Sequence, residues 1–242
     1  MNSPVLRVES VTMAFGGLRA VDGVTFNVMP GEIVAIIGPN GAGKTTIFNV
    51  ISGYLKPTRG KVFFQDRDIT GKPPYELAQM GIGRTFQIVK PFSSLSVLEN
   101  VMVGALIRHR SKADAESHAG EILKFIGLAD KADTAASGLT LAWRKRLEIA
   151  KALSLEPSLL LLDEVMAGLN PAEVAETVEL IKQIRDRGVT VLLIEHNMRV
   201  VMSLSSRVIV LNYGEKIAEG SPAEVAKNPV VIRAYLGEET AA

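Results

Sequence analysis

Gly38-Pro39-Asn40-Gly41-Ala42-Gly43-Lys44-Thr45 fills every position of the pattern G-x-x-x-x-G-K-[ST]. An apolar, strand-like run, Ile33 to Ile37, precedes it, and a helical pattern from Lys44 to about Ile51 follows. That context gives the residue types a mechanism. The glycines let backbone N–H groups curl around a phosphate, and the opening turn of the helix adds its partial positive charge. Lys44 reaches the β- and γ-phosphates, Thr45 offers a hydroxyl to Mg²⁺, and Thr46 follows in the same turn. The segment therefore predicts an ATP site. A glycine-rich turn before an ordinary helix is the weaker reading, because both flanks are as the phosphate site requires.

A second segment completes the pattern. Leu159-Leu160-Leu161-Leu162-Asp163-Glu164 reads as a strand buried on both faces and ending in two carboxylates. Asp163 is expected to face the metal ion, and Glu164, one residue on, to polarise an attacking water.

Working along the chain, short β-rich runs at Val5–Val8, Val24–Val28, Glu32–Ile37 and Lys61–Phe64 alternate with turn signals at Gly16-Gly17, Pro30-Gly31 and Pro57. From about Pro74 to Leu155 the pattern turns helical, with Val97–Ile107, Glu116–Ile126 and Trp143–Leu155 as the periodic stretches. Strand and helix alternate again from Ser158: Leu159–Leu162, a helix opening at Pro171, Val189–Ile194, a helix near Met198–Ser203, Val208–Leu211 and Lys216–Glu219. The expected architecture is α/β with a mainly parallel sheet. We expect one domain over residues 1–242, with a helical subdomain at about 88–157 inserted in a nucleotide-binding core of 1–87 and 158–242.

Composition narrows the classes. The 242 residues are 47% apolar and 22% charged, enough for one sizeable core. With 27 Lys+Arg against 26 Asp+Glu, no global field favours nucleic acid or an anionic membrane. Arg144-Lys145-Arg146, with Glu148 in the next turn, reads as a solvated helix face, so no nucleic-acid partner is expected. The absence of cysteine excludes disulfides and thiolate chemistry. His109, His118 and His196 are too scattered to suggest a zinc site; the first two fall in polar helical stretches and are expected to be solvated. Mean hydropathy is +0.21, yet the apolar runs are far shorter than the roughly 20 residues of a membrane span. Met1-Asn2-Ser3-Pro4 carries no signal-peptide pattern, so a cytosolic chain beginning here is the expectation.

The order and spacing of further residues carry a family resemblance. Arg84-Thr85-Phe86-Gln87 lies between the two motifs, Ala167-Gly168-Leu169-Asn170-Pro171 follows Glu164, and a later apolar run ends in Ile194-Glu195-His196-Asn197. Over nearly the whole chain this set resembles the ABC ATPases, the P-loop nucleotide-binding subunits of ABC transporters. Phe15-Gly16-Gly17, Gly168-Leu169-Asn170-Pro171, Glu195-His196-Asn197-Met198 and the tail from Asn228 to Gly237 are similar to the LivG-type subunits of branched-chain amino acid importers.

The resemblance implies an N-terminal antiparallel β part beside the parallel core, and roles for named residues. Phe15 stacks on adenine, Gln87 binds Mg²⁺ and reports on the membrane subunit, and His196 contacts the γ-phosphate. The alternatives are a core aromatic, a surface amide and a helix-capping imidazole, respectively. Catalysis then rests on Glu164 as general base with Lys44, Gln87 and His196, and metal binding on Thr45, Gln87 and Asp163.

One motif departs from the family pattern. Its signature, usually Leu-Ser-Gly-Gly-Gln, falls by spacing on Leu139-Thr140-Leu141-Ala142-Trp143; Ser137-Gly138 is out of register. Thr140 keeps a hydroxyl and Ala142 a small side chain, as a helix N-terminus approaching phosphate needs. Ala142 carries a Cβ and Trp143 a large ring, so a looser contact to the partner's nucleotide is expected.

The implied partners are a second ABC ATPase subunit packed head to tail, two membrane permeases docked on the helical lobe and, indirectly, an external solute-binding protein. The implied location is peripheral, on the cytoplasmic face of the plasma membrane. Import of urea, amides or another small solute is the runner-up, and a lipid-export ATPase is a third reading, disfavoured by the subfamily motifs. A permease-independent ABC ATPase of DNA repair or translation is disfavoured: a single phosphate loop is present, and only about 75 residues separate Gln87 from Asp163.

Overall fold

The structure is a computed structural model and describes residues 3–236; Met1, Asn2 and the tail residue Gly237 lie outside the described residues. The chain opens with a hairpin, β1 (Leu6–Phe15) and β2 (Leu18–Val28), turning at Gly16-Gly17. β3 (Ile33–Ile37) feeds the glycine-rich loop and α1 (Lys44–Ile51). β4 (Arg59–Phe64), β5 (Arg67–Asp68), α2 (Pro74–Met80) and β6 (Ile82–Arg84) follow. Three helices come next: α3 (Val97–Ala105), α4 (Lys112–Phe125) and α5 (Leu141–Leu153). The chain then runs through β7 (Leu159–Asp163), α6 (Pro171–Asp186), β8 (Thr190–Ile194), α7 (Met198–Leu204), β9 (Arg207–Asn212) and β10 (Glu215–Gly220). It ends on α8 (Pro222–Lys227) and α9 (Pro229–Leu236).

Two sheets result. The first, in the order β2-β1-β4-β5, is antiparallel; the second runs β10-β9-β3-β8-β7-β6 and is parallel except for its β10 edge. Every residue of β3, β7 and β8 is buried, as strands covered on both faces must be. Their side chains split by period two. Ile33, Ala35, Ile37, Leu160 and Leu162 join the core shared with α3 to α6, whereas Val34, Ile36, Leu159 and Leu161 join the core under α1 and the antiparallel sheet. Each such fully buried Val, Leu or Ile side chain contributes on the order of 1.5–3 kcal/mol.

The helices α3, α4 and α5 leave the parallel sheet after β6 and return to it at β7, and these two strands are neighbours. Lobe residues Val97, Val101, Ala119 and Leu123 belong to the same apolar cluster as Leu160 and Val191. No helix among the described residues is long and apolar enough to cross a membrane.

Three local features differ from or go beyond the sequence expectation. β6 lies within the stretch read as helical, because Ile82-Gly83-Arg84 is too short to show a period of two. β1 and β2 extend well beyond Val5–Val8 and Val24–Val28; register shifts next to Ser10, at φ 46°, break the alternation. The tail forms α8, opened by a Ser221–Glu224 capping box, and α9.

Candidate nucleotide site

Two glycines of the loop are held by backbone contacts that leave no room for a side chain. Gly38 sits at φ 149°, and a Cβ there would lie 2.0 Å from the Leu211 carbonyl oxygen. At Gly43, φ 97°, a Cβ would lie 2.4 Å from the Ala20 oxygen, so the β1–β2 hairpin buttresses the loop. Within the loop Ala42 N–H donates to Pro39 O, and Ala42 O accepts from Gly214 N–H of the β9–β10 turn. Asn40 and Gly41 lie exposed at the loop's outer edge. Helix α1 starts without a side-chain cap and without an acid in its first turn, which leaves its first N–H groups to an anion.

Lys44 is 6% exposed, and its Nζ donates to the carbonyl oxygens of Gly38 (2.7 Å) and Pro39 (2.8 Å). Burial lowers its pKa from the ordinary lysine value, against the pull of Glu164 and Asp163. Thr45 is exposed and Thr46 half-buried beside it.

Asp163, at the end of β7, is 3% exposed. Its Oδ2 pairs with Arg84 Nη2 at 3.3 Å, whereas Oδ1 is buried without a partner among the described residues. Burial raises the Asp163 pKa and Arg84 opposes the rise. Thr45, Gln87 and Asp163 line one cleft of about 700 Å³. A hydroxyl, an amide oxygen and an orphaned carboxylate oxygen form a hard-oxygen donor set, which fits Mg²⁺.

Glu164 is the junction of the site. It adopts φ 48°, unusual for a residue with a Cβ. Its N–H donates to Ile194 O, and its carbonyl oxygen accepts from Lys145 Nζ at 2.9 Å. The side chain is held from two sides: Oε2 accepts from Gln87 Nε2 at 2.7 Å, and Oε1 contacts His196 Nε2. With the carboxylate ionised, His196 donates through Nε2. Gln87 is thus bonded into the site from the surface. His196 is not the cap of α7, since the cap is Asn197, which accepts from Arg199 N–H. Phe15 is 47% exposed at the end of β1 and is no core aromatic.

Thr140 caps α5, accepting from Trp143 N–H at 3.5 Å, and Ser137-Gly138 lies in a separate short turn, so the helix begins where the spacing placed the signature. None of the hydrogen bonds among the described residues ties Thr140 or Ala142 to the phosphate loop. Leu141 instead meets the Ala167–Pro171 segment: a Cβ on Gly168 would lie 3.1 Å from its Cδ2. The Trp143 ring turns into its own lobe, with Lys131 5.0 Å and Arg146 5.2 Å from its centroid, rather than projecting as added bulk.

Two sequence expectations are corrected. Arg144-Lys145-Arg146 is no solvated face. Lys145 is 6% exposed and serves Glu164, Arg146 pairs with Glu176 and donates to Ile126 O, Arg144 donates to Ser137 O, and Glu148 is buried beside Lys151. His109 and His118 are neither scattered nor solvated: their ring centroids are 4.6 Å apart and both side chains are largely buried.

Arg84, Lys145 and Glu195 are further residues of the site that motif reading missed. Arg84 also donates to Asn49 Oδ1 and Ser52 Oγ, with the Tyr54 and Phe86 rings over its guanidinium. Glu195 is 4% exposed; burial raises its pKa against the backbone N–H groups of Met166, His196 and Asn197. A strand-end arginine beside a strand-end aspartate was the only available signal.

A glycine-rich phosphate loop, a strand-end aspartate and a positioned glutamate on a parallel sheet define a P-loop nucleoside-triphosphate hydrolase. Residues 21–167 match the family model of the ABC transporter, and residues 215–241 match that of the branched-chain amino acid ATP-binding cassette transporter. The chain belongs to the ABC transporter ATP-binding family and is an ATPase. It is 43% identical to the high-affinity branched-chain amino acid transport ATP-binding protein LivG of Escherichia coli K12, over 98% of this chain and 100% of that protein. It is 41% identical to BraF of Pseudomonas aeruginosa, with the same coverage of each. A nucleotide-free ATP-binding cassette from an ABC transporter superposes with a TM-score of 0.89 at 34% identity, over 98% of this chain and 100% of the other. A dimeric cassette in a post-hydrolysis state with ADP and Pi gives 0.81 at 28%, over 90% and 98%.

Proposed function

We propose that this chain is the ATP-hydrolysing subunit of an importer for branched-chain amino acids, acting as one half of a head-to-tail ATPase dimer beneath two permeases. The observation that carries the chemistry is the Glu164 carboxylate held between Gln87 and His196 at the end of β7, facing Lys44. The cargo rests on the LivG and BraF relatives and on the C-terminal match.

In this reading Phe15 stacks on the adenine, and the backbone from Gly38 to Gly43 with Lys44 and Thr46 holds the phosphates. Thr45, Gln87 and Asp163 would hold Mg²⁺, which when bound would neutralise charge on the phosphates. Glu164 takes the proton of a water attacking the γ-phosphorus in line, while the bond to the β-phosphate oxygen breaks and ADP leaves. His196 and Gln87 fix the rotamer of Glu164, and Lys44 stabilises the charge spread over the transferring group. The partner's copy of the signature segment, Thr140 and Ala142 in this chain, closes the site from the other side.

We read residues 88–157 as a helical subdomain inserted between core segments 1–87 and 158–242, with its permease-facing surface near Gln87. Exposed Phe86, Ile88 and Phe92 on either side of that residue support an apolar docking surface. The subunit is then peripheral to the cytoplasmic face of the membrane, and an external binding protein delivers the solute. The test is reconstitution of the chain with its permeases, partner ATPase and binding protein in vesicles containing ATP. Leucine, isoleucine or valine uptake that fails with Glu164→Gln is expected; uptake of urea or amides alone reassigns the cargo.

A further inference from the structure

Outside the nucleotide site, the helical lobe gathers three metal-ligating side chains from three segments. His109 follows α3, its N–H donating to Ala105 O; His118 lies on α4; Glu156 sits in the loop between α5 and β7. Glu156 Oε1 is 3.2 Å from His109 Nε2 and 3.7 Å from His118 Nε2, and all three ligand atoms lie within 4.8 Å of one another.

We propose that His109, His118 and Glu156 form a binding site for one divalent transition-metal ion of the zinc type. Four observations carry it. Both Nε2 atoms are buried and, among the described residues, neither has a hydrogen-bond partner: the Glu156 oxygen is within reach of His109 Nε2 but off the direction of a ring N–H, and at 3.7 Å it is too far from His118 Nε2. Two buried, unpartnered ring nitrogens near one carboxylate oxygen are costly unless something lies between them.

The spacing fits a metal. With Zn–N and Zn–O bonds of about 2.0–2.2 Å, the edges of a tetrahedral site are roughly 3.3–3.6 Å long. The two observed edges, 3.2 and 3.7 Å, bracket that range. Two imidazoles with one carboxylate suit zinc and its neighbours, whereas Mg²⁺ and Ca²⁺ prefer oxygen alone.

The framework around the ligands is rigid. Glu156 is in the left-handed region at φ 49°, held by its N–H to Leu153 O. Arg108, next to His109, donates from Nε to Leu155 O at 2.5 Å, from Nη1 to Gln79 O at 2.9 Å and from Nη2 to Ala78 O at 3.2 Å. It rivets the Glu156 loop to the end of α2. Finally, the Glu156 side chain is half exposed, which gives an ion a way in and leaves a fourth position to water. A bound ion ties α3, α4 and the loop after α5 into one unit.

The test uses the untagged full-length chain, stripped of metal and titrated with Co²⁺ in the absence of nucleotide. One equivalent producing the visible absorption of a tetrahedral cobalt site, displaced by Zn²⁺ and not by a large excess of Mg²⁺, is expected. Each of His109→Ala and His118→Ala weakens binding by more than about tenfold, since losing even an outer partner of a ligand costs 10–100-fold. No band at one equivalent, or a band unchanged in His118→Ala, overturns the site. Should the histidine variants not fold, crystals of the unaltered chain soaked in Zn²⁺ decide it. An anomalous peak among the three side chains supports the site, and none there rejects it.

Discussion

Arg84 Nη2 lies 3.3 Å from Asp163 Oδ2, and both side chains are almost wholly buried, at 8% and 3% exposure. The pair spans two neighbouring strands, β6 and β7, and leaves the other aspartate oxygen buried without a partner among the described residues. Removing one partner of such a pair strands the other charge in a poorly solvated place. Arg84→Met is therefore expected to lower stability by about 3–5 kcal/mol, and Asp163→Asn in the same chain to restore part of the loss. Urea unfolding of the two single variants and the double variant measures the coupling; strictly additive losses would remove the pair from the account.

The two contacts on Glu164 predict a graded pattern in catalysis. Glu164→Gln should retain ATP binding and lose roughly 10²–10⁴-fold in hydrolysis, the usual worth of a positioned base. Gln87→Ala removes one of the groups fixing the carboxylate and should lose less. Phosphate release by the assembled transporter, with nucleotide affinity measured in parallel, separates the two variants. A Glu164→Gln protein that turns over near normally would contradict the role of this residue.

Glu195 predicts a pH dependence with a definite sign. Its folded pKa is raised above the unfolded carboxylate value of about 4.5. The folded state therefore binds more protons in the interval just above that value, and stability falls as pH rises through it. In Glu195→Gln this fall should vanish. Unfolding free energies of both proteins from pH 4 upward should diverge through the interval and then run parallel; a constant difference from the acid end would show that the carboxylate does not titrate this way.

Space at the loop glycines separates two substitutions of equal chemistry. Gly38→Ala drives a Cβ to 2.0 Å from the Leu211 oxygen and should cost about 1–3 kcal/mol or more, with loss of nucleotide binding. Gly17→Ala meets nothing within 4 Å and should stay within about 0.5 kcal/mol. Thermal unfolding of the two variants side by side is sufficient.

Thr140→Ala removes a cap of modest geometry, 3.5 Å from Trp143 N, and should cost under about 1 kcal/mol. Its larger effect should be on ATP turnover of the assembled transporter, with ATP binding to the isolated chain unchanged. Full turnover in that variant would mean that the segment no longer acts across the dimer.

What the sequence disclosed follows from locality. Lys44 to Ile51, Leu159 to Asp163 and the helix opening at Pro171 were legible because period, cap and loop chemistry are written within a few neighbouring residues. The glycine-rich turn ending in Lys44 and the adjacent carboxylates Asp163 and Glu164 were legible for the same reason. Arg84, Lys145 and Glu195 were not, because their partners arrive from other strands and helices and their burial depends on packing. Lys145 shows the limit: in a run of three basic residues nothing local distinguishes the one that points inward to the Glu164 carbonyl. His109, His118 and Glu156 are distant in sequence, so only the folded lobe brings them together.

The Lys44 ammonium is already bound to two carbonyl oxygens of its own loop. A lysine side chain loses on the order of 2 kcal/mol of rotational freedom when fixed. Here that loss falls on folding, so an arriving triphosphate meets a cation already in position. In the proposed reading the affinity of the loop is thereby set by the exchange of carbonyl for phosphate oxygen around one stationary nitrogen, a trade between two sets of oxygens rather than the capture of a mobile charge.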